Sequence, residues 1–223
     1  MRVKTKALDI PESPDLTFEQ ALWKNGSSLV AGIDEAGRGA WAGPVVAAAV
    51  VLPAGANWGQ VLNGVRDSKQ MTPLQREKWV VEIKNVALAW GIGFASHAEI
   101  DTNGILPATR LAMERALENL SCTPTHLLID AVRLAKIPLP QTALIKGDQR
   151  SLSIAAASVL AKTARDAWMV EMDTCFPKYG FVAHKGYGTR RHQAALALHG
   201  ACEIHRRTYK PIMAQLEFEM QQV

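Results

Sequence analysis

The sequence predicts an α/β or α+β domain. Short apolar segments that read as strands alternate with longer segments of helical periodicity. The chain has 223 residues, 48% of them hydrophobic, which suits one domain with a substantial core. Three of the predicted strands end in acidic residues, and open α/β sheets place their functional sites outside strand ends.

The N-terminal part of the chain is predicted to contain an irregular arm, two strands and a helix. Residues 1–27 carry two prolines and scattered charge, and we expect them to form the arm. Residues 28–52 read as two strands joined by a glycine-rich acidic turn, and a polar loop at 67–69 follows them. The first helix should begin after Thr72, because threonine is a favoured N-cap and Pro73 suits the first helical position.

Strands and helices alternate along the rest of the chain. Further strands are predicted at residues 90–96, 126–130 and 142–148, and helices at 106–120 and 151–172. The tail from about residue 188 is predicted to be helical and basic.

Composition excludes several classes of protein. The net charge of +4 is compatible with an anionic partner such as nucleic acid, although the surplus is small. The three cysteines lie far apart, which disfavours a disulfide framework or a zinc site and fits a reducing cytosol. The N-terminal segment lacks the apolar core of a secretory signal, and no run of about 18 apolar residues could span a membrane. We therefore expect a cytoplasmic protein with no membrane partner.

Acids at strand ends are the main functional signal. Asp34 and Glu35 follow the first predicted strand, while Asp130 and Asp148 end two later ones. Because side chains alternate faces along a strand, Asp34 and Glu35 should share a site only where the strand ends or bulges. If the three ends are neighbours, four carboxylates converge and require cations such as Mg²⁺ or Mn²⁺. Two such ions roughly 4 Å apart would clamp the attacking and leaving oxygens of a phosphodiester.

Each acid also has a structural interpretation. An acid at a strand end can cap a helix or pair with a local lysine or arginine. Asp148 in particular could interact with the dipole of the helix predicted from residue 151. The repeated placement at strand ends is what favours the metal site.

Six segments, in the same order, resemble bacterial ribonuclease HII, the type 2 ribonuclease H. They are AGIDEAGRGAWAGPVVAAAV from residue 31, DSK from 67, LLIDA from 127, KGD from 146, IAAASVLAKTARD from 154 and YGFVAHKGYGT from 179. The resemblance implies a ribonuclease H-like fold, with a five-stranded mixed sheet flanked by helices and a C-terminal helical extension. It also implies an endonuclease that cuts RNA in RNA–DNA hybrids and single ribonucleotides embedded in duplex DNA, leaving 3′-hydroxyl and 5′-phosphate ends.

The resemblance also implies a division of the chain and a set of metal ligands. Residues 28–187 would form the catalytic domain and 188–223 the C-terminal helical region, whereas the arm at 1–27 matches nothing that we can assign. Two divalent ions, Mg²⁺ or Mn²⁺, would be held by four catalytic acids: Asp34, Glu35, Asp130 and Asp148.

Five further residues are predicted to bind substrate, four of them by this resemblance and Lys69 from its place in a polar loop. The turn Gly37-Arg38-Gly39 resembles one whose backbone reads the ribose 2′-hydroxyl, which distinguishes RNA from DNA. Tyr187 resembles a sugar-stacking tyrosine, and Lys69 would contact phosphate. Each of these features also has a structural alternative. The glycine turn could be a tight turn with a solvated arginine, Tyr187 could be a core tyrosine, and Lys69 could be an ordinary surface lysine.

Residues around these motifs carry weaker signals. Ser158, Lys162 and Asp166 recur every four residues, so they should share one helix face, with Lys162 and Asp166 as a salt pair. His184 lies near the proposed substrate loop, where a structural or phosphate-binding role is at least as plausible as a catalytic one. His205-Arg206-Arg207 and Lys210 could form either a basic patch for the duplex backbone or a solvated helix face, two alternatives of equal weight.

Two other functions remain open from sequence. A junction resolvase or another nuclease of the same fold would keep the acids but would not need the Gly37-Arg38-Gly39 turn together with Tyr187. A non-catalytic hybrid-binding protein is disfavoured because all four acids are present. We expect a monomer.

Overall fold

The computed structural model describes residues 10–55 and 58–220. Its strands are β1 (Val30–Ala36), β2 (Val45–Val51), β3 (Ala89–Ala95), β4 (His126–Asp130) and β5 (Gln141–Leu144). Its helices are α1 (Thr17–Lys24), α2 (Trp58–Val61), α3 (Pro73–Val86), α4 (His97–Asn103), α5 (Ile105–Glu118), α6 (Leu152–Cys175), α7 (Phe181–His184), α8 (Arg190–His199) and α9 (Lys210–Met220). Short 3₁₀ turns lie at Ser68–Gln70 and Gly147–Gln149.

The strands form one mixed sheet in the order β3-β2-β1-β4-β5. β2 pairs antiparallel with β1 and β3, whereas β4 pairs parallel with β1 and β5. Every residue of β2 is buried. A strand covered on both faces is apolar throughout, which explains the unbroken run of valine and alanine there. The expected five-stranded mixed sheet with flanking helices is confirmed.

Small residues let helices pack closely on both faces of the sheet. On one face, a Cβ at Gly93 would lie 2.1 Å from the carbonyl oxygen of Ala112 in α5. On the other face, a Cβ at Gly32 would lie 2.2 Å from the carbonyl carbon of Ser153 in α6. Because these distances are far below van der Waals contact, glycine is required at both positions.

Serine and threonine residues cap four of the described helices, and two of these caps are reciprocal capping boxes. Thr72 caps α3 and forms a reciprocal capping box with Gln75, and Pro73 occupies the first position as predicted. Ser96 and Glu99 form the same arrangement at the start of α4, a helix that we did not predict.

The prediction of an irregular arm is wrong for residues 17–24, which form α1. Glu19 in this helix is fully buried, and its Oε1 accepts hydrogen bonds from the hydroxyls of Ser151 and Ser153, each 2.6 Å long. The backbone N–H of Ser153, in the first turn of α6, also donates to it at 2.9 Å. The predicted arm is therefore attached to the rest of the fold through the start of α6. Residues 1–9 lie outside the described residues.

The predicted helical tail is confirmed for α8 and α9. The proposed boundaries at residues 27 and 187 stay a prediction. Within the described part of the chain, no helix combines the length and apolar character needed to cross a bilayer.

Candidate active site

Asp34 and Glu35 lie inside β1 and not after it. Both are paired in register with β2, so the expected strand end or bulge at these acids is absent on that side. Pairing with β4, however, stops at Ile33 and Ile129. The two acids consequently extend beyond the last paired residues of the parallel neighbour. An open strand edge, and not a break in β1, makes room for a site.

Asp130 and Asp148 reach this place from the next two strands. Asp130 is the last residue of β4, and its Oδ1 accepts a 2.7 Å hydrogen bond from the backbone N–H of Gly147. The prediction of a strand as far as Asp148 is wrong: β5 ends at Leu144, and the left-handed conformation of Lys146 (φ 55°) turns the chain. Asp148 is therefore presented by a 3₁₀ turn that is tied to the end of β4.

A cavity of about 480 Å³ is lined by three of these four acids but not by Asp148. Asp34, Glu35 and Asp130 line it. All five residues predicted to bind substrate also line it: Gly37, Arg38, Gly39, Lys69 and Tyr187. Residues that are up to 153 positions apart in sequence thus meet around one space large enough for part of a nucleotide chain.

Burial dominates the electrostatics of Asp34 and Glu35. Asp34 is 2% exposed, and burial, followed by the charges of Glu35 and Asp130, raises its pKa well above the usual range. Burial also raises the pKa of Glu35, although its bond with Arg38 opposes the change. Oδ2 of Asp34 and Oε2 of Glu35 are buried without a hydrogen-bond partner among the described residues. Both oxygens are therefore available to a ligand.

The other two acids share this environment, together with a fifth acid that we did not predict. Burial raises the pKa of Asp130. Burial and the nearby charges of Asp67 and Asp130 raise the pKa of Asp148 to about 6. Asp67 is 6% exposed and accepts a 3.0 Å hydrogen bond from the backbone N–H of Lys69. Asp67 lies in the DSK segment that resembles the family, so the sequence could have indicated it. We predicted a role in that segment only for Lys69.

Two basic side chains balance part of this negative charge. Lys69 Nζ lies 3.6 Å from Asp67 and 3.7 Å from Asp148. Burial lowers the pKa of Lys69, but the surrounding carboxylates outweigh that effect and raise it overall. Arg38 lies 3.1 Å from Glu35. Both side chains therefore face acids of the site.

The donor set fits a hard divalent cation. Within the described ranges, no three histidine, cysteine, aspartate or glutamate side chains are arranged to hold a metal ion in their present positions. The acids nevertheless offer carboxylate oxygens, including the unpartnered oxygens of Asp34 and Glu35. Carboxylate oxygen is the ligand type that Mg²⁺ and Mn²⁺ prefer. Burial is the first cause of the raised pKa values of these acids, and a bound cation would favour their ionised forms.

The Gly37-Arg38-Gly39 turn packs against buried Arg165 and is held by hydrogen bonds from buried Arg206. Gly37 has a φ of 96°, and a Cβ there would lie 2.0 Å from Nε of Arg165. Arg206 donates to the carbonyl oxygens of Gly37 at 2.7 Å and of Arg38 at 2.9 Å. At Gly39, by contrast, no atom of the described residues lies within 4 Å of the Cβ position. Gly37 is required by the fold, whereas Gly39 leaves open space toward the cavity.

The basic patch and the solvated helix face are both wrong for His205 and Arg206, whereas Arg207 and Lys210 are exposed. His205 and Arg206 are fully buried. Besides the turn, Arg206 donates to the carbonyl oxygens of Gly43 and Pro44 and to the hydroxyl of Tyr209. The five donors of its guanidinium are thus directed at neutral oxygens inside the protein, so this residue cannot bind duplex phosphates.

Tyr187 is half-buried beneath two cations. Nζ of Lys162 lies 5.4 Å from the centre of its ring, and Cζ of Arg165 lies 5.2 Å from it. Such cation–π contacts hold an aromatic ring without enclosing it. The structural alternative, in which Tyr187 is a buried core residue, is therefore wrong.

The predicted salt pair on α6 is confirmed. Nζ of Lys162 lies 2.7 Å from Oδ1 of Asp166, and Arg76, which we did not predict, lies 3.2 Å from Oδ2 of the same carboxylate. Two turns before Asp166, Ser158 shares a 2.9 Å hydrogen bond with Ser68 beside Lys69. This face of α6 supports the loop that carries Lys69.

The sheet and its acidic edge define an α/β domain of the ribonuclease H-like fold. The family model described as Ribonuclease HII matches residues 31–212. A ribonuclease HII of Chloroflexus aurantiacus is 55% identical over 204 residues, which cover 91% of this chain and 96% of that protein. The chain belongs to the ribonuclease HII family and has the activity of a ribonuclease H endonuclease, which cleaves RNA in RNA–DNA hybrids.

Solved structures agree with this assignment. The crystal structure of ribonuclease H2 from Pyrococcus horikoshii has a TM-score of 0.73 at 27% identity, covering 86% of this chain and 99% of that one. The crystal structure of Bst-RNase HIII in complex with Mn²⁺ has a TM-score of 0.63 at 17% identity, covering 87% of this chain and 71% of that one. The second likeness shows the fold alone.

Proposed function

We propose that the chain is a divalent-metal-dependent ribonuclease H that also cuts at single ribonucleotides embedded in duplex DNA. The products would carry 3′-hydroxyl and 5′-phosphate ends. One observation carries the proposal: unpartnered carboxylate oxygens of Asp34 and Glu35 lie buried beside the cavity that the glycine turn and Tyr187 also line. Groups able to hold a cation and groups able to recognise a ribose therefore face the same space.

Asp34, Glu35, Asp130 and Asp148 are proposed as the metal ligands, with Mg²⁺ or Mn²⁺ as the ion. Bst-RNase HIII, which shares the fold, forms a complex with Mn²⁺, and this supports a divalent ion of the same kind. A pair of such ions would supply the positive charge that activates water and stabilises the leaving oxygen. The four acids must be ionised to bind a metal ion. Their pKa values are raised, and a bound cation would stabilise their ionised forms.

Lys69 and Arg38 are proposed to contact substrate phosphate. Each now faces an acid of the site, Asp148 and Glu35 respectively. The side chain of Lys69 is 73% exposed and that of Arg38 is 40% exposed, so both can move without disturbing the core. Once the acids are neutralised by other cations, these two side chains are free to pair with phosphate oxygens.

Recognition of RNA is assigned to the glycine turn and Tyr187. Gly39 leaves space for a sugar to approach the main chain, whose amide and carbonyl groups can bond a 2′-hydroxyl. The ring of Tyr187 can stack on the neighbouring sugar. A junction resolvase would not need this combination, and the family match argues against that alternative.

Cleavage of defined duplexes tests the proposal. The substrates are a DNA duplex with one ribonucleotide, a long RNA–DNA hybrid, an all-DNA duplex and a four-way DNA junction. With Mg²⁺ or Mn²⁺, the first two should be cut to 3′-hydroxyl and 5′-phosphate ends and the others left intact. Chelator should abolish cutting, and Asp34→Asn should lose several orders of magnitude in rate. Activity that persists in chelator, or an uncut single-ribonucleotide duplex, would refute the corresponding part of the proposal.

A further inference from the structure

Three buried histidines surround the main chain of Tyr187. His184 is 7% exposed, and His192 and His205 are fully buried. The rings of His184 and His192 are stacked, with centroids 4.5 Å apart and planes 13° from parallel. None of the three lines the cavity over the acids. Their role must therefore lie in their own contacts.

Hydrogen bonds determine which nitrogen carries the proton in His205. Nδ1 of His205 lies 3.0 Å from the backbone nitrogen, 3.1 Å from Sγ and 3.3 Å from the carbonyl oxygen of Cys202. The backbone N–H donates to Nδ1, and the carbonyl oxygen already accepts from the backbone N–H of His205, so we assign Nδ1 as an acceptor. Burial, followed by the neighbouring His192, lowers the pKa of His205 to about 4, so the ring is neutral near pH 7. A neutral imidazole has one N–H, which in His205 must be on Nε2.

The same reasoning continues through His192. Its Nε2 lies 3.0 Å from Nε2 of His205, so the His205 N–H donates and the His192 nitrogen accepts. The proton of His192 is then on Nδ1, which lies 3.1 Å from the carbonyl oxygen of Tyr187 and donates to it. Burial lowers the pKa of His192 to about 4 as well, so the chain of hydrogen bonds is complete in the neutral state. It runs in one direction, from Cys202 to Tyr187.

The start of this chain is next to the residue that holds the glycine turn. Arg206 follows His205 directly and donates to the carbonyl oxygen of Gly37. Adjacent residues of one segment thus reach the two elements assigned to ribose recognition, Arg206 directly and His205 through His192. Trp41 provides a second link, because its backbone N–H donates to the carbonyl oxygen of Gly186 at 2.8 Å. The distance between the turn and Tyr187 is therefore set by hydrogen bonds and not by loose packing.

We propose that His192 and His205 are positioning residues that hold Tyr187 in register with the Gly37-Arg38-Gly39 turn, and that cleavage at a single embedded ribonucleotide depends on them. The inference rests on the proposed role of Tyr187 in ribose recognition. A duplex with a single ribonucleotide can bind productively at only one position, so it cannot shift to compensate for a displaced Tyr187. A long hybrid offers many registers and should be less sensitive.

Nuclear magnetic resonance of the wild-type protein tests the hydrogen-bond chain by itself. Long-range ¹⁵N–¹H correlation at pH 7 should show His205 with its proton on Nε2 and His192 with its proton on Nδ1, both neutral. Reversed tautomers, or a charged ring at pH 7, would overturn the proposal. This measurement depends neither on activity nor on the folding of any variant.

Two substitutions separate the contacts of His192. The amide nitrogen of Asn lies where Nδ1 of histidine lies, so His192→Asn keeps the donor to Tyr187 and loses the contact with His205. His192→Gln places its amide near Nε2 and loses the donor to Tyr187. His192→Gln should therefore lower cleavage of the single-ribonucleotide duplex relative to the long hybrid by roughly tenfold, and His192→Asn, which loses only the support of His205, should lower it less. His199→Asn, at an exposed histidine of the same helix, is the control.

Tyr187→Ala, measured in parallel, separates this inference from the proposed function. If Tyr187→Ala changes the ratio and His192→Gln does not, His192 does not position Tyr187 and the inference is wrong. If Tyr187→Ala itself leaves the ratio unchanged, the role of Tyr187 is wrong and the inference falls with it. Equal losses for His192→Asn and His192→Gln would show that the histidine supports the fold alone.

Discussion

Arg206 donates a 2.7 Å hydrogen bond from Nη2 to the carbonyl oxygen of Gly37, a residue 169 positions earlier in the chain. The guanidinium is fully buried, and burial lowers its pKa. A buried cation is costly unless its donors are satisfied, and here main-chain oxygens satisfy them. The glycine turn is therefore held from inside the protein by a residue of the C-terminal region.

Arg206→Lys should destabilise the protein although it keeps the charge. Lysine has three donors in place of five and lacks the planar geometry, so carbonyl oxygens around the turn lose their partners. We expect a loss of about 2–4 kcal/mol in the free energy of unfolding, measured by urea denaturation. Arg207→Lys, at the exposed neighbour, should stay within about 0.5 kcal/mol of wild type. Equal stability of the two variants would contradict the role assigned to Arg206.

The two glycines of the turn should respond differently to alanine. Gly37→Ala places a Cβ against Arg165 at a φ of 96°, so it should cost about 2 kcal/mol or more of stability. Gly39→Ala meets no atom of the described residues within 4 Å and should fold normally. If a sugar approaches this position, Gly39→Ala should still slow cleavage at a ribonucleotide. Thermal unfolding and cleavage rates, measured together, separate the effects, and a fully active Gly39→Ala would place the sugar elsewhere.

Features with local causes could be predicted from the sequence. The strands were recognisable from their apolar composition, and the start of α3 from Thr72 and Pro73. The α4 helix was missed because it is short, although Ser96 and Glu99 carry the pattern of a capping box. The position of Asp148 was misjudged because the strand ends where Lys146 adopts a left-handed conformation, which no residue type there requires.

Features with distant causes could not be predicted. Arg206 stands among basic neighbours, and its sequence surroundings indicate a charged surface. Its burial depends on oxygens from residues 37–44, which local pattern does not reveal. Likewise, α1 is anchored by Glu19 to serines more than 130 positions away. The four acids were found from their placement at predicted strand ends, and the family resemblance then implied that they bind metal.

Glu19→Ala should show that α1 is part of the folded domain. The substitution leaves the hydroxyls of Ser151 and Ser153 without their acceptor at the start of α6. We expect a loss of about 2–3 kcal/mol, measured by urea denaturation. Glu12→Ala, at an exposed acid of the same segment, is the control and should have little effect. A Glu19 variant as stable as the control would mean that the helix contributes nothing to the stability of the domain.

Without divalent metal, stability should fall as the pH rises through 6. The pKa of Asp148 is about 6 in the folded protein, above its ordinary value of 3.8. The folded protein therefore holds this proton more tightly than the unfolded chain does. The stability that results is fully present below the pKa of the unfolded chain, and it is lost as the pH rises through the pKa of the folded protein. Relative to Asp148→Asn, wild type in chelator should lose about 1 kcal/mol between pH 5 and pH 7.

Urea denaturation of both proteins across this pH range provides the measurement. Adding Mg²⁺ at pH 7 should stabilise wild type more than Asp148→Asn, because the variant lacks one of the proposed ligands. A stability difference that does not change with pH would show that Asp148 has an ordinary pKa. An equal effect of Mg²⁺ on both proteins would remove Asp148 from the proposed ligand set.

Tyr187 should control the choice of substrate and not the chemistry of cleavage. The acids can act on any phosphodiester that reaches them, so preference for RNA must come from groups that sense the ribose and its neighbour. The Tyr187 ring lines the cavity over the acids and is held by Lys162 and Arg165. Tyr187→Ala removes a stacking contact worth roughly 1–3 kcal/mol, so cleavage at a single embedded ribonucleotide should fall by about 5- to 150-fold. Cleavage of long hybrids should fall less, because they can bind productively at many positions. Tyr187→Phe keeps the ring and should retain most of the preference. The measurement is the ratio of the two cleavage rates for each variant, and an equal loss on both substrates would show that Tyr187 supports the fold or general binding.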